Sequence, residues 1–302
     1  MSPVLFPLPG NERMAAALAD ELQAVRGSIE VRRFPDGDSY VRIDTTVSHR
    51  TVILVCTLNR PDEKFLQLSL AAATARDLGA AQVGLVCPYL PYMRQDARFR
   101  PGEAISSKYF AHLLGLSVDW LVTVDPHLHR IHSLDQLFAI PAAAVHAAPY
   151  LGDWIRNNVE KPLLVGPDSE SEQWVASVAA RAHAAYTILE KVRRGDRDVE
   201  VSMPNIGDAA GGRPVLVDDI ISTGRTMVAA IRHLRALGLP APVCVGVHAI
   251  FADDAYGALR TAGAHDIVTT NTISHPSNRI DLHEPMVDSI RLMIARPIVE
   301  KM

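Results

Sequence analysis

The chain has 302 residues, enough to bury roughly three quarters of its unfolded surface in one large or two medium domains. It is 48% hydrophobic and 21% charged, with a net charge of −4, which excludes a general nucleic-acid binder while leaving room for a local basic pocket. No apolar run approaches the ~20 residues that cross a bilayer. Met1 to Gly10 has no basic flank and is broken by prolines, so it does not read as a signal peptide. Cys56, Cys87 and Cys244 lie in apolar, strand-like runs without metal-site spacing. They are expected as reduced core thiols of a cytoplasmic protein with neither nucleic-acid nor membrane partners.

Along the chain, Arg32-Arg33-Phe34-Pro35-Asp36-Gly37-Asp38 predicts a tight turn, because Pro-Asp-Gly fits a reversal. Thr51 to Cys56 is an apolar, β-branched strand. It leads through Thr57-Leu58-Asn59-Arg60-Pro61-Asp62 into a helix bearing Phe65, Leu68, Leu70, Ala72 and Leu78. A strand at Ala81 to Cys87 enters Pro88-Tyr89-Leu90-Pro91-Tyr92-Met93-Arg94-Gln95-Asp96, where aromatics, an arginine and an amide suit either a nucleotide pocket or a packed loop. The strand Trp120 to Val124 ends in Asp125-Pro126-His127-Leu128-His129; a strand-end histidine is most often structural, with metal binding as the alternative. The boundary between two halves is expected near Ala144 to Ala148, giving domains 1–145 and 146–302. The last helix, around Met286 to Ala295, is a candidate to pack on the N-terminal domain.

In the second half, Ala185 to Leu189 predicts a strand followed by the cations Lys191, Arg193 and Arg194, ordinarily a solvated face. The most informative stretch follows. Pro214 to Val217 is a buried strand, Asp218 and Asp219 stand at its mouth, and Ser222-Thr223-Gly224-Arg225-Thr226 opens a helix that starts near Arg225. Backbone N–H groups and hydroxyls at a helix N-terminus form an anion cradle. Two adjacent carboxylates cannot bind phosphate but suit vicinal hydroxyls or a hydrated Mg²⁺. Together they describe a pocket for a phosphorylated sugar. The segment has neither the Gly-x-x-x-x-Gly-Lys of a P-loop nor the Gly-x-Gly-x-x-Gly of a dinucleotide fold.

Strands alternate with amphipathic helices throughout, implying an α/β fold with mainly parallel sheets flanked by helices. The order strand, loop, helix, strand at 51–87 recurs at 214–247. An internal duplication and the ordinary pseudo-repetition of α/β proteins both account for that periodicity.

The loop at Asp218 resembles the sugar-phosphate loop of the type I phosphoribosyltransferase superfamily. Taken in order with Phe-Pro-Asp-Gly, Tyr-Met-Arg-Gln-Asp, Asp-Pro-His and Thr270-Asn271-Thr272-Ile273, nearly the whole chain resembles the ribose-phosphate pyrophosphokinase (PRPP synthetase) family. The resemblance implies two similar phosphoribosyltransferase-like domains. It also implies transfer of the pyrophosphoryl group of ATP to the C1 hydroxyl of ribose 5-phosphate, with Mg²⁺, or Mn²⁺ in its place. It assigns Phe34, Asp36, Asp38, Arg94, Gln95, Asp96 and His127 to ATP, with the Phe34 turn serving a neighbouring subunit. Lys191 and Arg193 become the catalytic cations. Asp218, Asp219, Ser222, Thr223, Gly224, Arg225 and Thr226 take ribose 5-phosphate, and His127 and Asp168 the metal. It further implies a homo-oligomer built from dimers, as a dimer, tetramer or hexamer. The sequence departs from the family at Gly166-Pro167-Asp168-Ser169-Glu170-Ser171, where small residues are usual around the aspartate, and at Asp38, where glutamate is usual. A non-catalytic regulatory homologue and a PRPP-consuming phosphoribosyltransferase are the competing readings.

Overall fold

The computed structural model describes residues 1–128, 130–168, 171–194, 198–202 and 211–296, with the backbone alone at 190–194 and 198–202. The chain divides into two compact units. Unit 1 comprises Met1–Val145 with the C-terminal segment from His283, and unit 2 is His146–Leu282.

Unit 1 opens with β1 (Val4–Pro7), α1 (Glu12–Leu22) and the short edge strand β2 (Val25–Arg26). The hairpin β3 (Ile29–Arg33) and β4 (Ser39–Ile43) leads to β5 (Thr51–Val55), α2 (Pro61–Asp77) and β6 (Gln82–Cys87). Then come α3 (Ser106–Ser117), β7 (Trp120–Val124) and β8 (Ala142–Val145). The sheet order is β2-β1-β5-β6-β7-β8, parallel at every pairing. Such a sheet is covered on both faces, and so every residue of β6 and β7 is buried. Gly84 is required at its place in β6, since a Cβ there would lie 2.0 Å from the fully buried Trp120 ring.

Unit 2 repeats the plan. After α4 (Ala148–Asn158) come β9 (Pro162–Gly166), α5 (Glu172–Ala182), β10 (Ala185–Ile188) and the hairpin β11 (Glu190–Arg194) with β12 (Asp198–Ser202). The rest is β13 (Arg213–Ile221), α6 (Arg225–Ala236), β14 (Val243–Ala249), α7 (Ala255–Ala262), β15 (Asp266–Thr270) and β16 (Asn278–Ile280). The order is β10-β9-β13-β14-β15-β16, again all parallel. β9 thus takes the place of β1, β13 of β5, and the hairpin β11–β12 that of β3–β4. The same strand order twice in one chain decides for duplication, which periodicity alone left open.

The segment from His283 belongs to unit 1 and not to the C-terminal half, for a packing reason. α8 (His283–Ile294) buries Met286, Val287, Ile290 and Met293 against α1 and strands β6, β7 and β8. α4 is its counterpart in unit 2 and packs on α5.

Cys56, Cys87 and Cys244 are free and buried. Burial pushes the Cys56 and Cys244 thiols up to about 12, so they stay protonated core groups. Among the described residues no helix is long and apolar enough to cross a membrane.

Candidate active site

In unit 2 the acidic pair lies within a strand, not at the loop mouth that the sequence suggested. β13 continues past Val217 to Ile221 because β14 runs on beside it, pairing Asp218 with Gly246, Ile220 with His248 and Ile221 with Ala249. Gly246 keeps this ladder close, as a Cβ there would sit 2.7 Å from the Ile221 side chain. The turn after β13 is tied to the next one by Phe251 N–H donating to the Ile221 carbonyl (2.9 Å) and Ala252 N–H to that of Ser222 (3.1 Å). Gly224, in the left-handed region at φ 65°, is the N-cap of α6, and no side chain caps it. Thr223, Arg225 and Thr226 are exposed around it. The first N–H groups of α6 have no carbonyl partner in the helix, so the turn is an open anion cradle.

Asp168 follows β9, the strand next to β13. Ser171 donates to it from Oγ to the Asp168 carbonyl (2.6 Å), and its N–H is shared between that carbonyl (3.2 Å) and Oδ1 (3.3 Å). Burial raises the Asp218 carboxyl well above the usual range, and the charge of Asp219, a side-chain hydrogen bond with Asp219 and the charge of Asp168 raise it further. Asp218, Asp219 and Asp168 carry hard oxygen donors, the donor type that divalent cations such as Mg²⁺ and Ca²⁺ take. Among the described residues no group of three or more His, Cys, Asp or Glu side chains is arranged to hold a metal ion. Lys191 and Arg193 lie two apart on β11, opposite Val201 and Val199. Ser169 and Glu170, the departures nearest Asp168, fall outside the described residues, as does His129.

In unit 1 the predicted turn is the tip of the β3–β4 hairpin. Phe34 N–H donates to the Asp38 carbonyl (2.7 Å), Gly37 N–H to that of Phe34 (2.9 Å), and Asp38 N–H to Asp36 Oδ1 (3.3 Å). The Phe34 ring is 40% exposed. It meets Tyr40 edge-on at 5.8 Å, and the Arg32 guanidinium lies 4.5 Å and 4.2 Å from the two rings. An exposed aromatic held this way is a ready stacking surface.

The segment Arg94-Gln95-Asp96 lies between β6 and α3. Arg94 is exposed, and Gln95 Oε1 accepts from Ser106 Oγ at 2.7 Å. Asp96 reaches across to the turn carrying His127, where Arg130 donates its guanidinium to Oδ1 (2.8 Å) and its N–H to Oδ2 (3.1 Å). Burial works against the charge on Asp96. The Arg130 hydrogen bonds and charge outweigh it and hold the carboxyl below its ordinary range. Asp96 is therefore a clamp between two loops in this structure. Neither Arg130 nor Glu103, whose Oε2 accepts the N–H groups of Phe99 and Arg100 (2.9 Å each), stood out in the sequence. Their partners are set by the fold and carry no spacing signal.

Comparison with known proteins gives the family and the fold. Residues 3–117 match the family described as the N-terminal domain of ribose phosphate pyrophosphokinase, and 133–283 match the phosphoribosyl transferase domain. A ribose-phosphate pyrophosphokinase of Methanopyrus kandleri is 34% identical over 281 residues, covering 92% of this chain and 95% of that one. One from Saccharolobus solfataricus is 36% identical over 250 residues, 82% and 84% of the two chains. The crystal structure of a phosphoribosylpyrophosphate synthetase from Mycobacterium smegmatis superposes with a TM-score of 0.84, covering 97% of this chain and 99% of that one; at 24% identity it supports the fold. Identity at this level across nine-tenths of two chains, with both units matched in order, means that this chain belongs to the ribose-phosphate pyrophosphokinase family.

Proposed function

We propose that the chain transfers the β,γ-pyrophosphoryl group of ATP to the C1 hydroxyl of ribose 5-phosphate, giving PRPP and AMP. The observation that carries the reading is the pairing, in unit 2, of an open helix-N-terminal cradle at 222–226 with carboxylates at Asp218 and Asp219 on the same strand-to-helix connection. The cradle takes the 5-phosphate, and the carboxylates accept hydrogen bonds from the ribose hydroxyls.

The C1 hydroxyl oxygen attacks the β-phosphorus in line with the departing α,β-bridging oxygen. The new C1–O–P bond forms, the bridging bond breaks, AMP leaves with that oxygen, and the hydroxyl proton passes to solvent. Such chemistry rests on alignment and charge neutralisation, with no covalent enzyme intermediate. Lys191 and Arg193 meet the negative charge that develops on the transferred group. His127 in unit 1 and Asp168 in unit 2 are each taken as a metal contact within their own unit, and a divalent cation, Mg²⁺ or Mn²⁺, would neutralise phosphate oxygens and help orient the sugar. Arg94 and Gln95 contact ATP from the β6–α3 loop, and Asp96 holds that loop to the His127 turn. Phe34, Asp36 and Asp38 form an exposed tip suited to stacking on an adenine of a neighbouring copy, which would make the working form a homo-oligomer built from dimers. We place the enzyme in the cytoplasm, in keeping with its free, buried cysteines.

Steady-state titration of Asp219→Asn tests the assignment of the two substrates. The KM for ribose 5-phosphate rises much more than that for ATP. Equal losses for both would remove Asp219 from the sugar site.

A further inference from the structure

The cradle at 222–226 is backed by the connection between β14 and α7. Two hydrogen bonds join them, from the Phe251 and Ala252 N–H groups to the Ile221 and Ser222 carbonyls. A Cβ on Gly224 would lie 3.5 Å from Leu259 and 3.6 Å from Ala255, so α7 begins directly behind the N-cap of α6. Phe251 adopts φ 40° and Asp253 φ 55°, both in the left-handed region that L-residues avoid. Two such residues within three positions persist only where their surroundings over-determine the backbone.

A cluster of three rings supplies that constraint. Phe251 meets Tyr256 of α7 edge-on at 5.3 Å and His275 at 4.5 Å, and Tyr256 and His275 close the triangle at 4.9 Å. Phe251 and Tyr256 also pack on the core of unit 2. His275 lies between β15 and β16, just past Thr270-Asn271-Thr272-Ile273. Its Nδ1 accepts the Ser277 N–H (3.1 Å), and its own N–H donates to Asn278 Oδ1 (2.9 Å). Asn278 Nδ2 is fixed in turn, donating to Thr269 Oγ1 (2.9 Å) and to the Thr270 carbonyl (2.6 Å). A ring nitrogen that accepts from a backbone N–H carries no proton. Burial lowers the imidazole below its ordinary value, so the ring is neutral at pH 7. A neutral imidazole packs on two aromatic rings without taking a charge out of water.

We propose that His275 is a positioning residue for ribose 5-phosphate: its ring holds Phe251, and Phe251 holds the Ile221–Ser222 end of β13 from which the cradle springs. His275 acts through Phe251 and not on the reacting atoms. The path lies wholly in unit 2 and gives the 270–273 stretch a task, since the Thr270 carbonyl receives the amide that fixes His275. The inference rests on the assignment of the 222–226 cradle to the sugar phosphate and deepens it.

Ribose 5-phosphate and, separately, Mg-ATP are titrated calorimetrically into the full chain as wild type, His275→Ala, His275→Phe and Phe251→Leu. His275→Ala removes one ring, and Phe251→Leu keeps apolar bulk at the core without a ring face. Both are expected to bind ribose 5-phosphate about tenfold more weakly, the scale of a lost aromatic contact, with the Kd for Mg-ATP unchanged. His275→Phe keeps the ring and should stay within about twofold of the wild type. Wild-type affinity for the sugar phosphate in folded His275→Ala overturns the proposal. An equal loss for both substrates overturns it too, because that marks a general loosening of the unit. So does a His275→Phe variant as weak as His275→Ala. A wild type that binds Mg-ATP but no ribose 5-phosphate removes the sugar site itself, and the positioning role with it.

Discussion

Asp218 and Asp219, neighbours on β13, are joined by a side-chain hydrogen bond that raises the Asp218 carboxyl further above a value that burial has already elevated. The two groups are most comfortable with a proton between them and least comfortable when both are charged. On the proposed function, a sugar hydroxyl or a cation takes that proton's place.

The sign of the stability effect follows. A carboxyl with a raised folded-state pKa contributes stability that is fully present below the unfolded value of about 4 and is lost as pH rises through the elevated value. Above the unfolded value the wild type therefore loses stability that a side chain with no charge to acquire would keep. Asp218→Asn is expected to raise the apparent melting temperature at pH 7 by ~2–4 °C, about 1 kcal/mol for a unit of this size. The gain disappears near pH 4, where the wild-type carboxyls are protonated. Thermal melts of both proteins across that range check it, and a gain that grows toward low pH would contradict it. The same variant should lose ribose 5-phosphate binding.

Arg60 and Gly224, both in the left-handed region, carry opposite expectations at the N-caps of α2 and α6. An L-residue in the left-handed region costs ~1–2 kcal/mol, partly offset by the ~0.5–1 kcal/mol of extra chain entropy that glycine loses on folding. Arg60→Gly should stabilise unit 1 by ~0.5–1 kcal/mol. Gly224→Ala should destabilise unit 2 by about 1 kcal/mol, and strain in the cradle should raise the KM for ribose 5-phosphate about fivefold. The added Cβ meets only ordinary contacts, at 3.5 Å from Leu259 and 3.6 Å from Ala255, so the cost is conformational and not a clash. Urea unfolding and sugar titration measure the two effects.

Lys191→Ala is expected to lower kcat by ~10²–10³-fold with little effect on folding, as when one transition-state donor is removed. Turnover by the purified, folded variant decides this. Wild-type turnover would take Lys191 out of the mechanism.

Arg130→Ala removes one partner of the Asp96 clamp and frees the β6–α3 loop from the His127 turn. The KM for ATP should rise roughly tenfold, in line with one charge-assisted hydrogen bond, while that for ribose 5-phosphate stays put. An unchanged KM for ATP would show that the clamp does not organise the nucleotide loops.

These residues also show what a sequence can and cannot carry. The connection at 213–236 was legible because a β-branched run, a small-residue turn and a helical periodicity each leave a local mark. The length of β13 was not: Asp-Asp reads as a loop, and only pairing with β14 carries the strand to Ile221. The β3–β4 turn announced itself through Pro-Asp-Gly, whereas the β11–β12 hairpin is written in charged residues that look like a solvated face. Arg130 was invisible because its partner Asp96 lies 34 residues away. The ring cluster of Phe251, Tyr256 and His275 was equally hidden, since His275 comes from a separate segment that only the fold brings to the other two.

The central claim is best tested by measuring AMP formed by the pure protein from Mg-ATP, with and without ribose 5-phosphate. The account predicts AMP and PRPP in equal amounts, and only when the sugar phosphate is present. No AMP with Mg²⁺ or Mn²⁺ and both substrates at saturation would contradict it, and the same residues would then mark ligand binding in a regulatory homologue.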